Sequence, residues 1–485
     1  MQKTLQMKRE QMYIKDNKQI SLYDFGQKAG LTLDPNNRWV RMAGLIDWDM
    51  IEEQYSRLYN PDKGAPAKPI RLAIGAMLIK QIEGLPDEKL VLHIQENPYM
   101  QYFCGIKEFS LELPFVPSLM VEFRKRFSEE VIWNINEDIF RELALPDVTK
   151  RLDGGDQREG GDKGDPPNRG VLIPDATCTP ANIRYPRDID LCNDAREATE
   201  EIVEAMHAGE VGKKEKPRLD KRKAKKEYNK VAKSKKNNEK IFRKAIRKQL
   251  YYIRRNLGYI TQQKEDGLGA LLSDRQKKLL ETIATFYEQQ KYMLDHHTKS
   301  VPHRIVSLFQ PHVRPIVRGK AAAKVEFGSK VSISVINGYV FLDNIGWEAY
   351  SEAGDLIEII EYYRASHGCY PEAVMVDKIY RNRDNIQFCN KHGIRISGPR
   401  LGRPRKDEVC DKEQAYRDSG VRNIVESKIG IAKITYGLSR IMANLKETSE
   451  TVIAIAILAM NLVKRLNSLC TDLLYSFRIC YLLIF

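Results

Sequence analysis

Apolar positions along this chain fall into three regimes. Between residues 66 and 127 they recur at helical spacing. Ile70, Ile74, Met77, Leu78 and Ile82 line "PIRLAIGAMLIKQIEG" as far as Gly84. "LPDEKLVLHIQENP" follows, with Pro86 and two acids at its start and a break at Asn97-Pro98. Glycine and proline stops around such stripes predict short helices. Two helices joined by a tight glycine-containing turn fit a helix-turn-helix and an ordinary helical bundle equally well. Further on, Ile246, Leu250, Ile253 and Leu257 give a second helical stripe, and "SDRQ" at Ser273 reads as a capping box opening a helix to about Leu294. From about residue 324 the pattern changes. "KVEFGSKVSISVINGYVFLDNIGW" carries β-branched and aromatic runs broken at Asn337-Gly338, a hairpin signal. "AGDLIEIIEYYRASHG" is then a helix stopping at Gly368, "EAVMVDKIYRNRDN" a short strand ending in Asp377, and "GIRIS" another strand-like run.

Between these regimes, "DGGDQREGGDKGDPPNRG" (153–170) has almost nothing to bury and marks a linker. Its aspartates lack the spacing of a calcium loop. At 485 residues the chain has room for two or three domains, and its 42% hydrophobic content is that of a globular protein. The longest apolar run, Val452 to Met460, falls far short of the roughly 18 residues of a membrane helix, and no membrane is expected. The last residues, "CTDLLYSFRICYLLIF", are read as a packed or interfacial tail. The N-terminus lacks a signal-peptide core, and eight scattered cysteines include no C-x-x-C pair. These features argue against a zinc site or a disulfide framework and point to a reducing cytoplasm.

Charge changes the picture most. The net charge is +14, and from Lys213 to Arg255 there are 20 Lys or Arg against 4 Asp or Glu, a surplus larger than that of the whole chain. So one-sided a run favours phosphate contact, hence nucleic acid, over a merely solvated face. Lys221, Arg222, Lys225 and Lys226 are its densest part, and a second basic loop, "GPRLGRPRK", holds Arg400 and Arg403.

The candidate chemistry is acidic. "VLIPDATCTPANIRYP" places Asp175 after an apolar run, where a lone acid is ordinarily a turn former. Asp377 repeats the pattern, and open α/β sheets place their sites at such strand ends. In "SGVRNIVESKIGIAKITYGLSRI" a helix would carry Val421, Val425, Ile429 and Ala432 on one stripe and Arg422, Glu426 and Lys433 on an adjacent face. Alone, that row could be a surface ion-pair ladder. Together, Asp175, Asp377 and Glu426 are three carboxylates able to converge on Mg²⁺, which takes hard oxygen ligands. Two such ions about 3.5–4 Å apart clamp the oxygens of an in-line phosphoryl transfer.

These segments, with "PFVPSLMVEFRKRF", resemble the DDE transposases of bacterial insertion sequences over about residues 60 to 465. The family's Tyr-x2-Arg-x3-Glu-x6-Lys signature falls on Arg422, Glu426 and Lys433, with Ser419 in the tyrosine position. The resemblance implies an α/β chain with an RNase H-like, mixed five-stranded sheet flanked by helices. Asp175, Asp377 and Glu426 would be catalytic and hold two Mg²⁺, with Mn²⁺ able to substitute. Arg422 and Lys433 would bind phosphates near the cleavage site. The expected division is a helical DNA-end-binding region at 1–150, a linker at 151–170 and a catalytic domain from 171–187 and 311–465. A basic helical insert would occupy 188–310 and an apolar tail 466–485. The expected activity is metal-dependent cleavage and strand transfer at the element's terminal inverted repeats, by a homodimer on double-stranded DNA in the cytoplasm, at the nucleoid. Two other readings remain at this point: a catalytically inactive DNA-binding derivative, and a nuclease acting on RNA or hybrids.

Overall fold

The computed structural model describes residues 21–27, 30–58, 67–144, 166–209, 215–234, 238–317, 325–398 and 412–484. Arg400, Arg403 and most of the glycine-rich linker lie outside the described residues. The chain is a mixed α/β protein. Its described residues begin with α1 (Leu22–Gln27), α2 (Arg38–Ala43), α3 (Trp48–Tyr55), α4 (Ile70–Glu83), α5 (Asp87–Glu96), α6 (Pro98–Phe103), α7 (Leu119–Arg126) and α8 (Glu129–Ala144). The local signals act as their chemistry requires. Gly84 ends α4 in the left-handed conformation at φ 65°, and Asn97 caps α6 by accepting from the backbone N–H groups of Tyr99 and Met100.

α4 is buried on every side, with each residue from Ile70 to Ile79 inside the protein. It is a central bundle helix. Gly75 makes this possible, because a Cβ there would stand 3.2 Å from Cys104 Sγ. Cys104, Cys178, Cys192, Cys369 and Cys389 are buried free thiols.

Strand β1 (Val171–Pro180) precedes four helices: α9 (Asp188–Ala208), α10 (Lys221–Ala232), α11 (Glu239–Glu265) and α12 (Asp274–Asp295). These have hydrophobic clusters of their own. Leu250 and Ile253 of the expected stripe are buried against Leu191, Ile283 and Phe286, with Ile246 and Leu257 partly buried beside them. Ser273 and Gln276 form the reciprocal capping box that opens α12.

The sheet resumes with β2 (Arg314–Val317), β3 (Val325–Ile336) and β4 (Tyr339–Gly346), followed by α13 (Leu356–His367), β5 (Ala373–Val374), α14 (Arg383–Lys391) and β6 (Arg395–Ile396). Asn337 and Gly338 make the β3–β4 turn with φ of 49° and 76°, the positive pair that hairpin turns need. The strand order is β2-β3-β1-β5-β6, with β4 also on β3. Among the described residues the sheet therefore has six strands, one more than the five expected. β3 outruns β4, and its first residues, Val325 to Gly328, take β2 as an additional antiparallel partner. β1 runs antiparallel to β3 and parallel to β5, and β5 parallel to β6. Gly328 is required where these strands crowd, since a Cβ would lie 2.1 Å from Thr179 O.

Two helices close the chain, α15 (Lys412–Ile434) and α16 (Lys446–Ile484). The expected tail from 466 is thus the continuation of α16. Lys446–Leu469 is long and apolar enough to cross a membrane by length and composition, which the short run Val452–Met460 did not suggest. Its residues Ile453 to Met460 are all buried, and the helix packs against α4, α7, α8 and β4. One hydrophobic core consequently includes residues from α2 through α8, the sheet, α15 and α16. A buried amide junction ties three of these elements. Asn461 Oδ1 accepts from Val340 N at 2.9 Å, and Asn461 Nδ2 donates to Asn136 Oδ1 at 2.9 Å and Val340 O at 2.7 Å. Asn461→Leu keeps the volume but leaves the β4 amide of Val340 and Asn136 Oδ1 without their partner. It is expected to lower unfolding free energy by about 2–4 kcal/mol, read as a shift in the denaturant midpoint. An unchanged midpoint would remove this junction from the stabilising contacts.

Candidate active site

The site forms where the strand order reverses. β3 lies on one side of β1 and β5 on the other, and β5 pairs with β1 only at Val171 and Leu172. Beyond that point the flank of β1 has no ladder partner there, which accommodates Pro174. Asp175 sits on this freed stretch, opposite Ile333 of β3. It is a mid-strand residue and not the strand terminus that the apolar run suggested, because pairing with β3 carries β1 on to Pro180. Asp377 follows the last residues of β5 across the crevice. Such a crevice, outside the ends of parallel strands at a switch point, is where open α/β sheets hold their ligands.

α15 brings the third acid. Val425 and Ala432 are buried on its inner side, and the helix packs on β1 and β3. After it, Ile441 N donates to Pro180 O at 2.8 Å and Asn182 N to Ile441 O at 3.0 Å, tying the following loop to the end of β1. The adjacent face then presents Arg422 and Glu426 to the crevice.

Arg422 is the hub. Its Nη2 donates to Glu426 Oε1 at 2.6 Å and its Nη1 to Asp377 Oδ1 at 3.3 Å. Burial pushes the Asp175 carboxyl up; the Ala176 amide and the Arg422 guanidinium pull it down, and the charges of Asp377 and Glu426 push it up again. Three acids from a strand, a loop and a helix thus surround one guanidinium. Asp175 is the most enclosed, whereas the side chains of Asp377 and Glu426 are 53% and 51% exposed. Asp175 Oδ1 accepts its own next amide, Ala176 N, at 2.8 Å. Asp377 does the same with Lys378 N at 2.6 Å. Each carboxylate therefore keeps a second oxygen for another partner.

Among the described residues no three His, Cys, Asp or Glu side chains are grouped to hold a metal ion. The acids are instead linked through Arg422, which is hydrogen-bonded to Asp377 and Glu426 and acts on Asp175 through its charge. Lys433 lies two turns beyond Glu426 on the same helix, about 10 Å along the axis, and Ser419 is exposed in the position of the signature tyrosine. The sequence reading did not single out Tyr380, three residues past Asp377. Its ring is 1% exposed, its hydroxyl has no hydrogen-bond partner among the described residues, and burial first and the Asp175 charge second push that hydroxyl well above its usual range. Its only sequence signal was an aromatic beside a candidate acid.

The basic candidates of the insert stand apart from this cluster. α10 packs on α9 and α11, burying Ala224 and Val231. Arg222, Lys225 and Lys226 are exposed. Lys221 differs from these three, because its Nζ lies 2.5 Å from Glu204 Oε2.

Residues 374–463 match the family model described as Transposase DDE domain, a span that includes Asp377, Arg422, Glu426 and Lys433. Residues 29–126 match a second one, Transposase domain (DUF772). An uncharacterized protein of Rhizobium meliloti, ORF8 in the nfe locus, is 31% identical over 164 residues, which are 34% of this chain and 72% of that protein. No solved structure matches. With both transposase domain families in order along one sequence, and with Asp377, Arg422 and Glu426 inside the DDE span, the chain belongs to the DDE transposases of insertion sequences.

Proposed function

We propose that the protein binds the terminal inverted repeats of its own element and catalyses metal-dependent DNA cleavage and strand transfer there. The observation that carries this reading is the convergence of Asp175, Asp377 and Glu426 from three elements around Arg422. The donor set suits Mg²⁺ or Mn²⁺, being all carboxylate oxygen, with two of the acids about half exposed. Asp175, Asp377 and Glu426 would hold the metal, which when bound supplies Lewis-acid activation of water and of phosphate oxygens. Arg422 and Lys433 would grip phosphates beside the scissile bond, and Arg222, Lys225 and Lys226 flanking DNA. The absence of hydrogen bonds from Asp175 or Asp377 to any histidine, serine or cysteine among the described residues accords with attack by water and not by a protein nucleophile.

An RNase H-like catalytic unit at 171–187 and 311–465 is supported by the strand order β4-β3-β1-β5-β6, antiparallel in its first three members and parallel in its last two. The helices of 1–150 would read the DNA ends, and 188–310 would be a basic insert. A homodimer acting in the cytoplasm completes the proposal.

The test uses the duplex that flanks the gene. With Mg²⁺, the full chain is expected to nick or cut at terminal inverted repeats and to join the freed 3′ ends to other DNA, leaving random duplex uncut. Repeat-specific binding without cleavage in Mg²⁺ or Mn²⁺ would instead identify a catalytically inactive DNA-binding derivative.

A further inference from the structure

Arg422 raises a difficulty for any ion that enters this site. Its guanidinium holds Glu426 Oε1 and Asp377 Oδ1, and its charge pulls the Asp175 carboxyl down. A divalent ion held by the remaining oxygens of these carboxylates would stand beside a fixed positive charge. An arginine does not lose its proton at any working pH. Its charge leaves the site only if the side chain swings away.

The surroundings permit that movement. Arg422 is 34% exposed along its side chain, and it sits on the crevice-facing side of α15, one turn before Glu426. The two aspartates also accept from the backbone, Asp377 Oδ1 from Lys378 N and Asp175 Oδ1 from Ala176 N, and so keep an anchor that does not depend on it. A phosphate is the natural competitor, because guanidinium and phosphate make paired, charge-assisted hydrogen bonds.

We infer that Arg422 is an internal counter-cation that keeps metal out of the acidic site until a DNA phosphate draws it away, so that metal and DNA binding are coupled through this one side chain. The inference rests on the reading of Asp175, Asp377 and Glu426 as metal ligands. Linkage makes the coupling reciprocal: DNA tightens metal, and metal tightens DNA by the same factor.

The experiment titrates Mn²⁺ alone into the full, metal-stripped chain and follows free ion by electron paramagnetic resonance. Arg422→Gln is expected to bind Mn²⁺ about tenfold more tightly than wild type, a size usual for linked sites. Arg422→Lys, which keeps the charge and loses the two-pronged grip, tightens it by less, about threefold. Circular dichroism melts report whether each variant is folded; if the Gln variant is not, the Lys variant carries the test. In a second measurement, anisotropy of a labelled duplex at constant ionic strength, Mn²⁺ strengthens binding by wild type about tenfold more than binding by Arg422→Gln. Equal or weaker Mn²⁺ binding by the Arg422 variants would overturn the inference, as would a Lys variant indistinguishable from Gln. Asp377→Asn and Glu426→Gln separate the two levels. If they lose Mn²⁺ while the Arg422 variants gain nothing, only the counter-cation role fails. If they bind Mn²⁺ as wild type does, the metal-ligand reading fails with it.

Discussion

Asp175→Asn, Asp377→Asn and Glu426→Gln are each expected to lower end cleavage at least about 1,000-fold, the rate equivalent of the several kcal/mol a carboxylate-held metal supplies. DNA binding should survive all three. Each substitution removes a negative charge from a crevice whose Arg422 is otherwise occupied by Asp377 and Glu426. Affinity for DNA is therefore expected to hold or to rise. Binding by anisotropy and cleavage in Mg²⁺, measured on the same preparations, give both quantities. A variant that cuts at the wild-type rate would show that its residue holds no metal. Parallel loss of binding and cleavage would return the acids to a structural role.

The second large effect concerns the insert. Substituting Arg222, Lys225 and Lys226 by Gln removes three exposed cations from α10 that pair with no carboxylate among the described residues. Each phosphate contact contributes roughly 0.9 to the slope of log K against log salt on duplex DNA. The triple variant should flatten that slope by about one to three units. The loss should be similar for repeat and random sequence, since phosphate contacts position without specifying. Lys221→Gln is the contrast. Lys221 already neutralises Glu204, and its removal should change the slope less than any one of the other three. An unflattened slope in the triple variant would mean that α10 faces solvent in the complex and that the DNA path runs elsewhere.

The residues that were legible in advance are those whose chemistry is local. Gly84 and Gly368 both end helices in the left-handed conformation, Ser273 and Gln276 form their capping box, and Asn337-Gly338 turns its hairpin. Each depends on a few neighbouring backbone groups, so a window of four to six residues holds all the information. The membrane-length apolar character of α16 was obscured for a related reason. Asn461, Lys464 and Arg465 interrupt the run, and only packing shows Asn461 to be a buried junction among Asn136, Val340 and the helix.

The acids themselves stood out in the sequence as well: two aspartates after apolar runs, and a glutamate at helical spacing from an arginine and a lysine. What they do to one another did not. That Asp175 lies mid-strand was decided by β3, which is long enough to pair as far as Pro180. That α4 is enclosed from Ile70 to Ile79 was decided by the helices and the α16 face packed around it. That Arg422 stands among all three carboxylates was decided by the early departure of β5 from β1 and by the buried Val425 and Ala432, which orient α15 over the gap. Composition, caps, turns and the identity of the charged groups are properties of short stretches and are determined by the sequence alone. The field felt by each group, and whether an arginine neighbours one acid or three, depends on residues some 50 to 250 positions apart, and only tertiary packing brings those together.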